Sequence, residues 1–431
     1  MLNKIFGVNK LDHLTMSGVD VCEIAAKYKT PLYLMDENLI RENCRIYKKA
    51  LEENYDDGLV LYASKAFSCL YIYKLVNEEG LGVDVVSGGE LYTALSAGFP
   101  AEKIFFHGNN KTYDELLYAI ENNIGRIVVD NQYELDNIEE IAGKLNKTVS
   151  VLFRIKPGID AHTHEAIMTG QIDSKFGFAI ENNEAFEIIE KALQCPHIKI
   201  SGLHCHIGSQ IFDVNPFVEA AEVMLKLIID IKEKYSLEID DLNLGGGFGI
   251  KYVESDDPVD YGEYIHHVAE TINKICNKEN IKKPRILMEP GRSIVGEAGI
   301  TLYSVGAVKD IKNVRKYVSV NGGLGDNPRY ALYESQYSIC LPEKMSKEAV
   351  EKVTIAGKCC ESGDLIAKDI MAPEINVDDL LCVFSTGAYN YSMASNYNRI
   401  PRLPVIMIKD GEDKLVIKRE TYEDIIKNDI I

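Results

Sequence analysis

The chain has 431 residues, 46% of them hydrophobic, and carries 47 Lys and Arg against 66 Asp and Glu for a formal net charge of −19. That length suits two domains, or one large barrel with a smaller partner, and the apolar share is enough for a core. The acidic balance argues against nucleic acid or an anionic membrane surface as a partner, and no apolar run approaches the roughly 18–20 residues that span a bilayer.

The opening MLNKIFGVNKLDHL lacks the apolar core of a signal peptide. Ten cysteines in a chain this long read as small hydrophobes rather than a disulfide framework, so a reduced, cytoplasmic setting is expected. Residues 1–36 end in PLYLMD, a strand candidate. From residue 59 to 291 one rhythm then recurs, a short apolar run followed by a stretch of helical period. The runs are LVLYASK (59–65), GVDVVSGG (82–89), IFFHGNN (104–110), RIVVDN (126–131), VSVLFRIKPG (149–158), ISGLHCHIGS (200–209), LNLGGGFG (242–249) and RILMEPGR (285–292). Between them, Leu135, Ile138, Ile141 and Leu145 show helical spacing behind an Asn131 and Glu134 cap signal. Asn215-Pro216 reads as the cap and first turn of another helix.

Strands alternating with helices imply a parallel sheet, and continuous apolar runs imply that both faces are covered. Eight such units predict a (β/α)8 TIM barrel over 37–296, with an open doubly wound sheet as the alternative. Over 297–431 strand-like runs follow one another, and VIMIKDGEDKLVIKRE is a hairpin signal around Asp410-Gly411. The fold class is therefore α/β plus all-β: the barrel, then a C-terminal antiparallel β-sandwich or barrel that also takes the N-terminal segment.

Catalytic groups in such barrels come from the C-terminal ends of strands. Those ends carry Lys65, Asp84 and Ser87, His107, Arg154, then His204, His206 and Ser209, then Gly245, Gly246 and Gly247, and finally Glu289 and Arg292. Lys65 alone reads as the first solvated residue after a core strand. Polar groups at the same end of nearly every strand make it functional. Three glycines bare their N–H groups to an anion, or simply make a tight turn; Rossmann spacing fails because the third glycine would fall at Ile250. His204 and His206 share one side of their strand, but zinc lacks a third ligand of convincing spacing; a ring stacked on a flat cofactor is the other functional reading. Glu289 ends an apolar strand and needs a partner, the simplest being Arg292. A lysine, a phosphate cradle, a flat-ring neighbour and a buried acid together suggest pyridoxal phosphate.

The chain resembles the fold-type III pyridoxal-phosphate-dependent decarboxylases, most closely the diaminopimelate decarboxylases, over nearly its whole length. The resemblance rests on YASKA (62–66), HCHIGSQ (204–210), LGGGFG (244–249), EPGR (289–292), DNPRYALY (326–333), CESGD (360–364) and TGAYNYSM (386–393). It implies decarboxylation of meso-2,6-diaminopimelate to L-lysine and CO2, the last step of lysine biosynthesis, with pyridoxal 5'-phosphate on Lys65. It further implies that His206 stacks on the pyridine ring and Glu289 holds its nitrogen. Asp84, Ser209, Gly246, Gly247, Pro290, Gly291, Arg292 and Tyr389 fall at cofactor-side positions. Arg292, Arg329, Tyr333 and Tyr389 match substrate-binding positions, the first three at the distal carboxylate, while Glu361 and Ser362 match the contact to the distal amine. Cys360 matches the proton donor, and in the family Cys360 and Glu361 reach a partner subunit's site, so a homodimer with shared active sites is implied.

Two positions depart from the pattern. Phe67 stands where many members have Asn, and Cys359 precedes Cys360; strand alternation would put the two thiols on opposite faces, and CESGD selects Cys360. Rival expectations are a decarboxylase of carboxynorspermidine, arginine or ornithine, an amino-acid racemase, a non-catalytic regulator of the same fold, and a metal-dependent barrel hydrolase.

Overall fold

The computed structural model describes residues 3–159 and 173–431. The chain divides into two compact units: one holds 43–249 and 258–293, and the other holds the chain through Glu42, Ile250–Asp257 and Ile294–Ile431.

The first unit is a closed parallel barrel. Its strands are Gly58–Ala63, Gly82–Val85, Ile104–Phe106, Arg126–Val129, Val149–Lys156, Ile198–His204, Asp241–Asn243 and Arg285–Met288. Each pairs in parallel with the next, and the ring closes where Met288 lies opposite Val60. The two-residue strand Phe178–Ala179 adds to the fifth. Leu61, Phe105, Val128, Leu152 and Leu287 form one buried cluster inside the ring. Alternate residues thus fill the interior while their neighbours face the helices, as in other eight-stranded parallel barrels.

The helix signals hold with two differences. Asn131 caps Gln132–Leu145 by accepting from the Glu134 backbone N–H, but the Glu134 carboxylate goes to buried Lys111, 2.6 Å away. A buried ammonium needs such a partner, so the pair outweighs a capping box. Asn215–Tyr235 has its proline in the first turn but no side-chain cap from Asn215. Asp213 does that work, accepting from the Asn215 backbone N–H at 2.9 Å.

The second unit is a mostly antiparallel sheet built around the thirteen-residue strand Gly299–Ile311. The N-terminal segment supplies Leu32–Asp36, which pairs antiparallel with that strand and parallel with Val405–Lys409. A second parallel pair joins Arg315–Val320 to Glu351–Ala356. The hairpin turn has both Asp410 and Gly411 at positive φ, 51° and 83°, the type I′ geometry that matches strand twist. Residues 6–20 make a separate three-stranded sheet. Ile250 and Tyr252 belong to this unit's hydrophobic core.

Candidate active site

In the barrel unit the polar strand ends cluster as the sequence suggests. Lys65 sits in the single turn Ser64–Ala66 directly after the first strand. Ser64, Ala66 and Phe67 are buried while Lys65 is exposed. The Tyr62 hydroxyl donates to the Phe67 carbonyl at 2.7 Å, which closes the turn around Lys65. Phe67 is thus a packing residue at 1% exposure. The turn is also braced from the last strand: the Ala63 N–H donates to the Pro290 carbonyl at 3.1 Å. A Cβ on Gly291 would lie 2.9 Å from the Ala63 Cβ, so Pro290 and Gly291 fix the loop against the turn that carries Lys65.

Glu289 does not pair with Arg292. Its Oε1 accepts from Asn243 Nδ2 at 2.6 Å, and His204 Nε2 lies 3.3 Å from its Oε2. His107 Nε2 stands 2.8 Å from Oε1, off the axis of a good hydrogen bond. The two histidine rings pack edge to face, with centroids 4.8 Å apart. Burial alone would raise the Glu289 pKa, but His107 and His204 outweigh it and hold the carboxyl well below its usual range. Burial pushes His204 down to about 4. His107 goes the other way: burial disfavours its charge, yet Glu289 and Asp84 together raise its pKa. Burial raises Asp84, with His107 opposing and Glu289 reinforcing the shift, and Asp84 Oδ1 is buried without a hydrogen-bond partner among the described residues. Arg292 instead donates to Ser209 Oγ at 2.9 Å.

His206 is half-buried, apart from this network. Its Nδ1 accepts from the Gly246 N–H at 3.3 Å, which leaves Nε2 to carry the ring's proton. Burial, Lys65 and Arg154 hold its pKa well below the ordinary value, so the ring is neutral. A third ligand for the zinc reading does exist in space. His107, His204 and Glu289 present donor atoms within 4.8 Å of one another, although His206 takes no part. The Asn243 N–H aimed at the same carboxylate oxygen competes with a cation for it.

The glycines form a cradle. A Cβ on Gly246 would meet the Glu289 carbonyl oxygen at 2.1 Å, and one on Gly247, at φ +112°, would meet the Gly208 oxygen at 2.4 Å. Backbone therefore approaches backbone beside Ser209 and Arg292, a setting suited to a phosphate.

In the second unit, Arg329 is 7% exposed at the start of the short helix Arg329–Tyr333. Its Nη1 donates to the Tyr337 hydroxyl at 2.8 Å. Its guanidinium carbon lies 4.8 Å from the Tyr252 ring centre and 5.6 Å from that of Tyr337. Among the described residues no carboxylate lies within ion-pair distance of it. Burial opposes its charge, but the two tyrosines more than restore it. Tyr333 is half-buried. Tyr389 adopts φ 65°, a left-handed conformation that a bulky residue holds only under constraint.

Cys359 and Cys360 lie on a bend after the strand Glu351–Ala356 rather than on a strand, yet they still differ in exposure: Cys359 is buried and Cys360 exposed. Burial pushes the Cys359 thiol up to about 11. Asp364 anchors the bend by accepting from the backbone N–H groups of Leu324 at 2.6 Å and Cys359 at 2.7 Å. Glu361 and Ser362 are exposed. Sequence reading missed Asn243, Tyr252, Tyr337 and Asp364. Asn243 was within reach, since it too ends a barrel strand.

A family model described as pyridoxal-dependent decarboxylase, pyridoxal binding domain, matches residues 37–296. The chain belongs to the pyridoxal-dependent decarboxylases. It is 51% identical over 422 residues to the diaminopimelate decarboxylase of Bacillus subtilis, covering 98% of this chain and 96% of that protein. The diaminopimelate decarboxylase of Staphylococcus aureus is 47% identical over 422 residues, covering 98% of each. The crystal structure of diaminopimelate decarboxylase from M. jannaschii in co-complex with L-lysine matches with a TM-score of 0.93 at 38% identity, covering 100% of this chain and 99% of that one. Within the family, the chain groups with the diaminopimelate decarboxylases.

Membership makes the chain a decarboxylase enzyme with pyridoxal phosphate as its cofactor, and the residues fit that group. The glycine cradle with Ser209 and Arg292 suits its phosphate, neutral His206 offers a ring face, and ionised Glu289 offers an acceptor to a protonated ring nitrogen. Bound pyridoxal phosphate supplies an aldehyde for an amine to attack and an electron-withdrawing ring that accepts the pair left by a departing carboxylate. No helix among the described residues is long and apolar enough to cross a membrane.

Proposed function

We propose that this chain converts meso-2,6-diaminopimelate to L-lysine and CO2, closing lysine biosynthesis in the cytoplasm. The observation that carries the reading is Arg329, a buried guanidinium with aromatic and hydroxyl neighbours and no carboxylate at ion-pair distance among the described residues. A buried cation without a counter-ion is costly unless a ligand supplies the anion. The second carboxylate of a diamino diacid is such an anion, and the names of the relatives agree.

In this reading Lys65 attaches the cofactor covalently, with Asp84 beside it. His206 covers one ring face and Glu289 holds the ring nitrogen. Ser209, Gly246, Gly247, Pro290, Gly291, Arg292 and Tyr389 hold the phosphate and its surroundings. Arg292, Arg329 and Tyr333 take the distal carboxylate, while Glu361 and Ser362 take the distal amine. Cys360, from the partner subunit of a homodimer, gives a proton to the carbon that has lost CO2. Its exposure and the rigid Asp364 anchor behind it suit a donor offered outward.

The test is incubation of the purified protein with pyridoxal phosphate and meso-2,6-diaminopimelate. L-lysine and CO2 formed in equal amounts are expected; turnover without lysine, or none at all, contradicts the reading.

A further inference from the structure

Arg329 is held by groups to which the roles above give no task. The Tyr337 hydroxyl accepts from Arg329 Nη1 at 2.8 Å and lies 3.3 Å from Asn390 Oδ1. The polarity of this string is fixed. A guanidinium has no acceptor, so the Tyr337 oxygen must accept from it, and its one proton is left for Asn390. Asn390 is fully buried, and its Nδ2 has no hydrogen-bond partner among the described residues. The rings of Tyr252 and Tyr337 meet edge to face, with centroids 5.4 Å apart at 86°, and both flank the guanidinium. Arg329 is thereby restricted in rotation as well as in position. A long side chain otherwise spends much entropy on being ordered, so a receptor arginine fixed in advance gives up less on binding.

We infer that Tyr337, braced by Asn390, is the positioning residue for Arg329 and so helps select amino-acid substrates with a second carboxylate. The inference rests on the reading of Arg329 as the distal clamp. Tyr337 acts on the donor's orientation and not on the reacting carbon, so its loss separates binding from chemistry. It also adds a reason for Asn390 in the TGAYNYSM motif: the amide fixes the hydroxyl that fixes the arginine.

The experiment compares the holoenzymes of wild type, Tyr337→Phe and Arg329→Gln. Tyr337→Phe keeps the ring and removes only the hydroxyl. The expected result is a rise of about 10- to 100-fold in KM for meso-2,6-diaminopimelate, the size of a hydrogen bond to a charged group. Its kcat and its affinity for pyridoxal phosphate stay within about twofold of wild type, because the inference gives the hydroxyl a task at Arg329 alone. An unchanged KM overturns the inference. So does a parallel loss of KM, kcat and cofactor affinity, the mark of a merely structural hydroxyl. Arg329→Gln separates the two layers. If it raises KM and Tyr337→Phe does not, the clamp stands and the positioning role fails. If Arg329→Gln leaves KM unchanged, the clamp itself fails and the inference falls with it.

Discussion

Asn243 Nδ2 donates to Glu289 Oε1 at 2.6 Å, joining the last residue of the barrel's seventh strand to the first residue after its eighth. Glu289, the acid proposed to hold the cofactor's ring nitrogen, is thus aimed by a neutral donor, while His107, its pKa raised by Glu289 and Asp84 against burial, stands as the cationic neighbour. Asn243 also accepts from the Gly245 N–H at 2.9 Å, so one amide ties the acid to the start of the glycine cradle.

Replacing Asn243 with Leu removes both bonds at nearly constant volume. A hydrogen bond to a charged group is worth about 1.5–3 kcal/mol. Affinity for pyridoxal phosphate should fall roughly 10- to 100-fold, measured by equilibrium titration of the cofactor-free protein. Unchanged affinity would mean that Asn243 merely fills space.

Gly246→Ala tests the cradle. Its Cβ would sit 2.1 Å from the Glu289 carbonyl oxygen and 2.9 Å from the carbonyl carbon, so the backbone that carries Glu289 must move. The expected outcome is a folded protein that has lost most of its cofactor affinity, as shown by absorbance after gel filtration with pyridoxal phosphate. Full retention of the cofactor would argue against close backbone approach at this turn.

The two adjacent thiols make opposite predictions. Cys360→Ala should keep the cofactor's visible absorbance and lose most of the turnover, whereas Cys359→Ala should cost stability and little activity. Cys359 is 9% exposed and packs behind the bend. Assays of both variants with meso-2,6-diaminopimelate decide between them, and a reversed pattern would move the donor role to Cys359.

A pH dependence follows from His204. Its folded-state pKa of about 4 lies below the ordinary 6.5, so between those values the unfolded chain binds more protons there. Stability from this site is therefore full above about pH 6.5 and declines as the pH falls towards 4. Glu289, held low by the two histidines against its burial, loses stability in the same direction at lower pH. Thermal melts of wild type and His204→Gln at pH 7.5 and pH 5 should show a smaller acid-induced drop in the variant; equal drops would contradict the assignment.

Much of this site was legible in the residues, for physical reasons. The eight barrel strands are continuous apolar runs because both faces are covered, and each run ends where polar groups emerge. Lys65, His206, the glycines and Glu289 were visible for that reason. The partner of Glu289 was not. Arg292 is close in sequence, but His107, His204 and Asn243 come from three other strands and meet Glu289 only because the ring closes. The three-stranded sheet over residues 6–20 also escaped, its strands being two or three residues long and too short to show a period. The cage around Arg329 was hidden for a similar reason: Tyr252 is far from it in sequence and reaches it only through tertiary packing. Cys359 and Cys360 were expected to face opposite ways along a strand, and a bend gives the same result.

Arg329 is proposed to make this decarboxylase select a substrate with a second carboxylate. The most direct measurement is kcat/KM for meso-2,6-diaminopimelate beside ornithine, arginine and carboxynorspermidine, using one preparation loaded with pyridoxal phosphate. A buried arginine left unpaired by a substrate without that carboxylate should lower kcat/KM by about 10⁴ or more, with lysine as the only product at an appreciable rate. Comparable rates for meso-2,6-diaminopimelate and any of the other three would contradict the account.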